Sequence, residues 1–449
     1  MNSKKNILGE VAGVFSSNLA TMIFGLGTGI ILSRILGPEQ KGIYTSLLVI
    51  PGIIASIATF GTRQSSIYHI GKKIFTNQQV ISALFFLFLT SSVIGALLFF
   101  AYMFFFNKGS YTELMIILAI SYTPIKLLIT YSGSVFLANI QFRKANMLKW
   151  LTALLTLIIV FFTVFILRMS IIGALLALIA ASCIVLIIAI ISIIKDHGIH
   201  IHFDKKVINT LFRMGIIYAI ALLIIQLNFR IDILILDFLS NKKEIGFYSI
   251  GVSIAEKLWQ IPMAIGIVVI SRSAVTTNMP ELIKDVGKLL RLGFLIVFIA
   301  SIAIFFIVPY AIPLLYGNAF DRSVIVVQHI LPGIIFFVIV RILSSSLAGL
   351  GKPWLIILIF LPALFINVGL NFLWIPKYGC LGAVWATNVS YILGSIVLLF
   401  AFAHITKTKV SSFILFQRED FHILRNIKTI RKRKKELKKS FEGSDDDES

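Results

Sequence analysis

Residues 82–106, SALFFLFLTSSVIGALLFFAYMFFF, run for twenty-five positions without a charge. A helix rises about 1.5 Å per residue, so about 20 such residues cross a hydrocarbon core of roughly 30 Å. Inside that core the backbone must satisfy its own polar groups, which leaves only helices and closed barrels. The run is continuous and does not alternate, so a barrel strand is excluded. The same pattern recurs along all 449 residues, with twelve apolar windows centred near residues 22, 55, 93, 125, 157, 182, 223, 258, 301, 335, 365 and 393. With 58% hydrophobic and 14% charged residues, against about 25% charged in soluble domains, and a mean hydropathy of +0.95, the chain reads as an all-α integral membrane protein. Its first apolar stretch, Val11 to Ser33, exceeds the roughly 7 to 15 residues of a signal-peptide core and reads as an uncleaved first span.

Orientation follows from lysine and arginine. With the N-terminus inside, seventeen basic residues fall on the cytoplasmic side and eight on the other, before the tail is counted. An even number of spans then places both termini in the cytoplasm. The tail from Lys407 adds twelve more, concentrated in RNIKTIRKRKKELKK, and ends in DDDES. Such a basic segment either lies on anionic headgroups or stays solvated and sets topology. Because this pattern accounts for much of the net charge of +21, a nucleic-acid partner is not implied. Cys183 and Cys380 lack metal-ligand spacing, and His197, His200 and His202 sit in a polar connection without an HExxH-type motif, so no metal site is expected.

Sliding the second half over the first brings out an internal repeat. Gly42-Ile43-Tyr44 superimposes on Gly246-Phe247-Tyr248, Pro124 on Pro332, Leu137-Ala138 on Leu347-Ala348, and Gly173-Ala174 on Gly382-Ala383. Each pair holds the same place relative to its span, so the expected plan is two six-helix bundles of like topology (6+6) around a central cavity. The expected boundaries are residues 1–194, a cytoplasmic linker 195–210, residues 211–406, and a cytoplasmic tail 407–449.

LSRILGPEQKGIY, with Gly61-x-Arg63 closing the second span, resembles the N-terminal signature of bacterial polysaccharide flippases of the multidrug/oligosaccharidyl-lipid/polysaccharide exporter superfamily. LLYGNAF, residues 314–320, resembles the motif those proteins carry after the ninth span. The resemblance implies a V-shaped pair of bundles around a cationic cavity, in the bacterial cytoplasmic (inner) membrane. It implies flipping of an undecaprenyl-diphosphate-linked oligosaccharide, such as an O-antigen or capsule repeat unit, to the periplasmic leaflet by alternating access. No cofactor is implied, and a polysaccharide polymerase is a candidate partner.

The residues themselves point the same way. Ionisable side chains within spans cost about 2.5 to 3.5 kcal/mol each on insertion scales and therefore face a cavity or a partner. They are Lys126 in the fourth span, Arg230, Asp232 and Asp237 in the seventh, Glu256 and Lys257 in the eighth, and Arg341 in the tenth. A diphosphate crossing the midplane needs cations, and arginine can grip phosphate oxygens with two donors. Arg230, Arg341, Lys257 and Lys126 are the expected anion contacts, while Gln226, Asn228 and Gln260 could meet sugar hydroxyls and Trp259 could stack or pack. Asp232, Asp237 and Glu256 are candidates for coupling to a proton or sodium gradient. Arg230 could also pair with Asp237 or Glu256 and serve assembly alone. The competing reading is an ion-coupled multidrug or small-molecule exporter. An enzyme is disfavoured, because the connections are short and hold no nucleophile or phosphate-cradling loop.

Overall fold

The computed structural model describes residues 3–106, 109–198, 201–275, 278–352 and 354–415. His200 and most of the basic and acidic tail lie outside the described residues.

Every element among the described residues is helical. In chain order they are α1 (Ser3–Ala58), α2 (Thr62–Gly71), α3 (Asn77–Phe106), α4 (Glu113–Ala138), α5 (Phe142–Val160), α6 (Ser170–His197), α7 (Lys205–Leu239) and α8 (Lys242–Ala255). Then follow α9 (Gln260–Val275), α10 (Met279–Tyr316), α11 (Asp321–Gly349), α12 (Trp354–Tyr378), α13 (Cys380–Ile405) and the short α14 (Ser411–Ile414). Ten helical stretches are long and apolar enough to cross a membrane, and α7, bent by 42° between Lys205–Ile220 and Leu222–Leu239, is an eleventh. The twelfth comes from α1, which is two helices joined at a break. Counted so, the described residues hold twelve candidate spans, and the chain is a multi-pass membrane protein.

That break corrects one detail of the sequence reading. The polar stretch Arg34 to Gly42 reads in the sequence as the connector between the first two spans, with Gly37 and Pro38 stopping one helix and Gly42 to Tyr44 starting the next, yet only Gly37 leaves helical geometry, at φ 67° and ψ 177°. A positive φ costs glycine nothing, so one residue makes the turn. Pro38 then occupies the first position of the new helix, where its missing N–H is no loss and its fixed φ suits the helix. Elsewhere polar side chains mark the starts as expected of N-caps. Thr112 accepts from the Met115 amide, Asp204 from those of Lys206 and Val207, and Asn241 from that of Glu244.

The helices form two compact units. The larger comprises Met1–Glu256, Ile304–Gly333 and Ile357–Ser390; the smaller comprises Lys257–Ala303, Ile334–Ile356 and Tyr391–Ser449. In the larger unit one core gathers Leu32, Leu47, Phe99, Ala119, Val164 and Leu175 from α1, α3, α4, α6 and the π-turn after α5. A second core packs Val207 and Leu211 of α7 against Val80, Leu84, Tyr131 and Val135 of α3 and α4. Phe104, Phe105 and Phe365 are exposed, as lipid-facing positions in a bilayer should be. Cys183 and Cys380 are free thiols.

In the smaller unit Arg291, 3% exposed, donates to the Ser412 carbonyl, and Phe413 packs edge-on against Phe402. This fixes the start of the tail to α10 and α13.

Candidate functional site

Three spans of the larger unit bring charged side chains together. Arg230 on α7 faces Glu256, at the end of the unit's first segment, with Nη1 to Oε1 at 3.3 Å and Nη2 to Oε2 at 3.2 Å. The two groups are part-buried, and the pairing is the two-pronged one that matches guanidinium to carboxylate. Lys126 on α4 lies within electrostatic reach of Arg230. Gly52 on α1 lies beside it, and a Cβ there would sit 3.5 Å from the lysine Nζ, in ordinary van der Waals contact. Two basic side chains thus lie near one another in apolar spans, an arrangement that an anion can bridge.

The three carboxylates separate by environment. Glu256 is paired with Arg230 and Asp237 with Lys242. Asp232 has no ion pair among the described residues and is 1% exposed. It is held by neutral donors: Tyr248 Oη at 2.7 Å, Thr387 Oγ1 at 2.8 Å and Asn371 Nδ2 at 2.6 Å. Asn371 also donates to Asn367 Oδ1 at 2.9 Å. Asn371 Oδ1 and Asn367 Nδ2 are buried without partners among the described residues. Oxygen ligands around one uncompensated carboxylate suit uptake of a proton or a hard cation.

Asp237 belongs to a different cluster. It accepts from Tyr111 at 2.9 Å and from Tyr102 at 3.3 Å, while Lys242 pairs with it and donates to Tyr111. Glu244, 6% exposed, accepts from the Cys380 amide at 2.8 Å and pairs with Arg322 at 2.6 Å. Arg34 Nε donates to the Leu315 carbonyl at 2.8 Å, and its Nη2 reaches the Leu314 carbonyl. Those are last-turn carbonyls of α10, orphaned where the helix ends. The two motifs LSRILGPEQKGIY and LLYGNAF therefore touch, a purpose for Arg34 that the sequence reading does not contain.

The remaining predicted residues fall as follows. Asn228 is 1% exposed, and its Nδ2 is committed to the carbonyls of Ile224 and Phe360, at 2.9 and 3.1 Å. It ties α7 to α12 and has no free donor for a sugar, which corrects its expected role. Gln226 is half-buried on α7 and Gln260 is exposed at the start of α9.

In the smaller unit Lys257 lies half-buried in the 3₁₀ turn Glu256–Trp259 that interrupts the eighth span. Arg341 rests over Trp259 and Phe337, 5.2 and 5.3 Å from the ring centroids. The Phe337 and Tyr391 rings are 4.5 Å apart. Trp259 is 7% exposed, so it serves as a packed support for the guanidinium and not as an open stacking platform. Sequence reasoning missed Tyr248, Asn367, Asn371 and Thr387. Two asparagines four residues apart in an apolar span, INVGLN, are the signal that marks them.

Residues 7–275 match the model of the family described as polysaccharide biosynthesis protein. The chain belongs to this family. It is 27% identical over 206 residues, 46% of its length, to the putative O-antigen transporter of Shigella flexneri; the match spans about half of that relative, 49%. The fold resembles that of lipid II flippase MurJ in an inward closed conformation, with a TM-score of 0.72, 17% identity, and 89% of this chain and 88% of the other covered. It also resembles an inward-facing multidrug resistance MATE family transporter of the MOP superfamily, with a TM-score of 0.70, 15% identity, and 86% and 94% covered. The chain has the fold of the MOP superfamily of transporters.

Proposed function

We propose that this protein flips a polyprenyl-diphosphate-linked oligosaccharide from the cytoplasmic to the outer leaflet of the bacterial cytoplasmic membrane, supplying repeat units for a surface polysaccharide. The observation that carries the reading is Lys126 lying within electrostatic reach of Arg230, itself paired with Glu256, within apolar spans, in a chain of the polysaccharide biosynthesis protein family. An anionic diphosphate displaces Glu256 from part of the arginine fork and meets Lys126 as a second cation. Arg341 on its aromatic shelf, with Lys257, is a further proposed anion contact. The two repeats, residues 1–194 and 211–406, alternate the exposure of a central cavity with both termini in the cytoplasm. A polymerase of the same surface polymer is the proposed downstream partner.

Asp232 is the proposed coupling group, because a buried carboxylate without a basic partner gains most from taking up a proton or sodium ion. The experiment is reconstitution in liposomes with a fluorescent polyprenyl-diphosphate oligosaccharide. Appearance of label in the outer leaflet that requires Arg230 and Lys126 supports the reading. A second reading, an ion-coupled exporter of small molecules, draws on the likeness to the MATE fold. Drug-cation flux in the same liposomes without lipid flipping would decide for it.

A further inference from the structure

A cleft of about 670 Å³ opens where α4 turns into α5, walled by the start of α1 and by Gln141, Arg143, Lys144, Asn146 and Trp150. The turn is made by Ile140 at φ 60°, and α5 begins at Phe142 with no capping side chain. Gln141, in the cap position, sends its Nε2 instead to Asp196 Oδ2 at 3.0 Å. The first amides of α5 therefore have no acceptor among the described residues. A helix start favours acidic side chains, yet this one carries Arg143 and Lys144. Lys144 is balanced by Asp196, whereas Arg143 is exposed and has no ion pair among the described residues.

Two amide side chains line the same place. Asn146 is 7% exposed, lines the cleft, and has no hydrogen-bond partner among the described residues. Gln141 Oε1 is buried without a donor. The cleft thus presents cationic and amide donors together with one spare acceptor. Phe15 and Leu19 on the first helix are exposed beside it, at 58% and 43%, and Trp150 and Met147 add apolar wall. An aromatic side chain beside basic ones is what the headgroup level of a membrane favours.

We propose that this cleft binds an anionic membrane phospholipid with a hydroxyl-bearing headgroup, of the phosphatidylglycerol type. The phosphate takes the Arg143 fork and the free α5 amides, which is how helix starts hold phosphate. Asn146 donates to a phosphate or glycerol oxygen, and Gln141 Oε1 accepts from the headgroup hydroxyl. A lipid fits better than a soluble phosphate because one wall of the cleft continues into lipid-facing apolar surface.

The test is native mass spectrometry of the full-length protein in detergent, titrated with phosphatidylglycerol, phosphatidylcholine or inorganic phosphate. Phosphatidylglycerol is expected to bind about tenfold more tightly than phosphatidylcholine, and Arg143→Ala and Asn146→Ala are each expected to lose about tenfold. Arg143→Lys should recover part of the loss, and Arg168→Ala, outside the cleft, should behave as wild type. Arg143 is exposed, so its variant remains informative if Asn146→Ala fails to fold. Equal binding of the two lipids, or unchanged binding in Arg143→Ala, overturns the proposal. Displacement of the lipid by millimolar inorganic phosphate reassigns the cleft to a soluble phosphate compound and also overturns it. Lipid retention is read without transport, so failure here leaves the flippase reading standing.

Discussion

Gly42 and Gly246, the pair superimposed by the internal repeat, lie against each other in the larger unit. A Cβ on Gly42 would fall 1.7 Å from the Lys242 carbonyl oxygen and 3.1 Å from the Gly246 amide nitrogen, and one on Gly246 would fall 2.0 Å from the Pro38 carbonyl oxygen. Small residues let membrane helices approach backbone to backbone, where van der Waals packing replaces the hydrophobic drive that lipid does not supply.

Gly42→Ala and Gly246→Ala should each lower the thermal midpoint of the purified protein, since overpacking costs about 1 to 3 kcal/mol. Alanine is otherwise the better helix former by up to about 1 kcal/mol. Gly29→Ala, with nothing within 4 Å of its added carbon, is expected to hold or raise the midpoint. Equal behaviour of all three would show that the close crossing is not retained in detergent.

Arg34→Ala should destabilise by about 1 kcal/mol, near the low end for hydrogen bonds from a charged donor, because the site is exposed and water can replace the guanidinium on the two carbonyls. Arg34→Lys keeps the charge and loses the fork, so it should recover less than half of the thermal shift. Full recovery would make the effect one of charge alone.

Arg230→Ala leaves Glu256 part-buried without its arginine, and Glu256→Ala takes this carboxylate away from Arg230. Each should cost about 2 to 4 kcal/mol, and the double variant less than the sum. The double variant is expected to be more stable than the sum of the single losses predicts, while lipid flipping does not return. If flipping returned with stability, the pair would serve assembly only, and the anion role of Arg230 would fall.

Asp232→Asn removes the titratable charge while keeping side-chain size. Transport should continue at a reduced rate and no longer respond to an imposed proton or sodium gradient. Asp237→Asn, in the Lys242 and Tyr111 cluster, should lower thermal stability and keep the gradient response. A gradient response that survived Asp232→Asn would place coupling elsewhere.

The membrane class, the twelve spans and the repeat are legible along the chain because each depends on local chemistry. Apolar length, basic flanks and glycine or proline punctuation act within about 20 residues. The charged positions could be found for the same reason, as any ionisable residue in a span is an exception that needs an explanation. Their roles could not, because a role depends on partners distant in sequence. Arg230 finds Glu256 and leaves Asp237 to Lys242. Asp232 is distinguished from the other two carboxylates only by what surrounds it, namely Tyr248, Asn371 and Thr387.

Arg34 shows the same division. In sequence it is a charge beside a Gly-Pro turn; in the fold it closes the carbonyl end of a helix some 280 residues away. The sequence by itself determined that this chain crosses a membrane, how many times, and which residues must be explained there, since transfer free energy is set residue by residue. Tertiary structure alone decided which of those charges are neutralised by a partner and which stay available, since pairing depends on distance in space, and in a medium of low dielectric a few ångströms decide it.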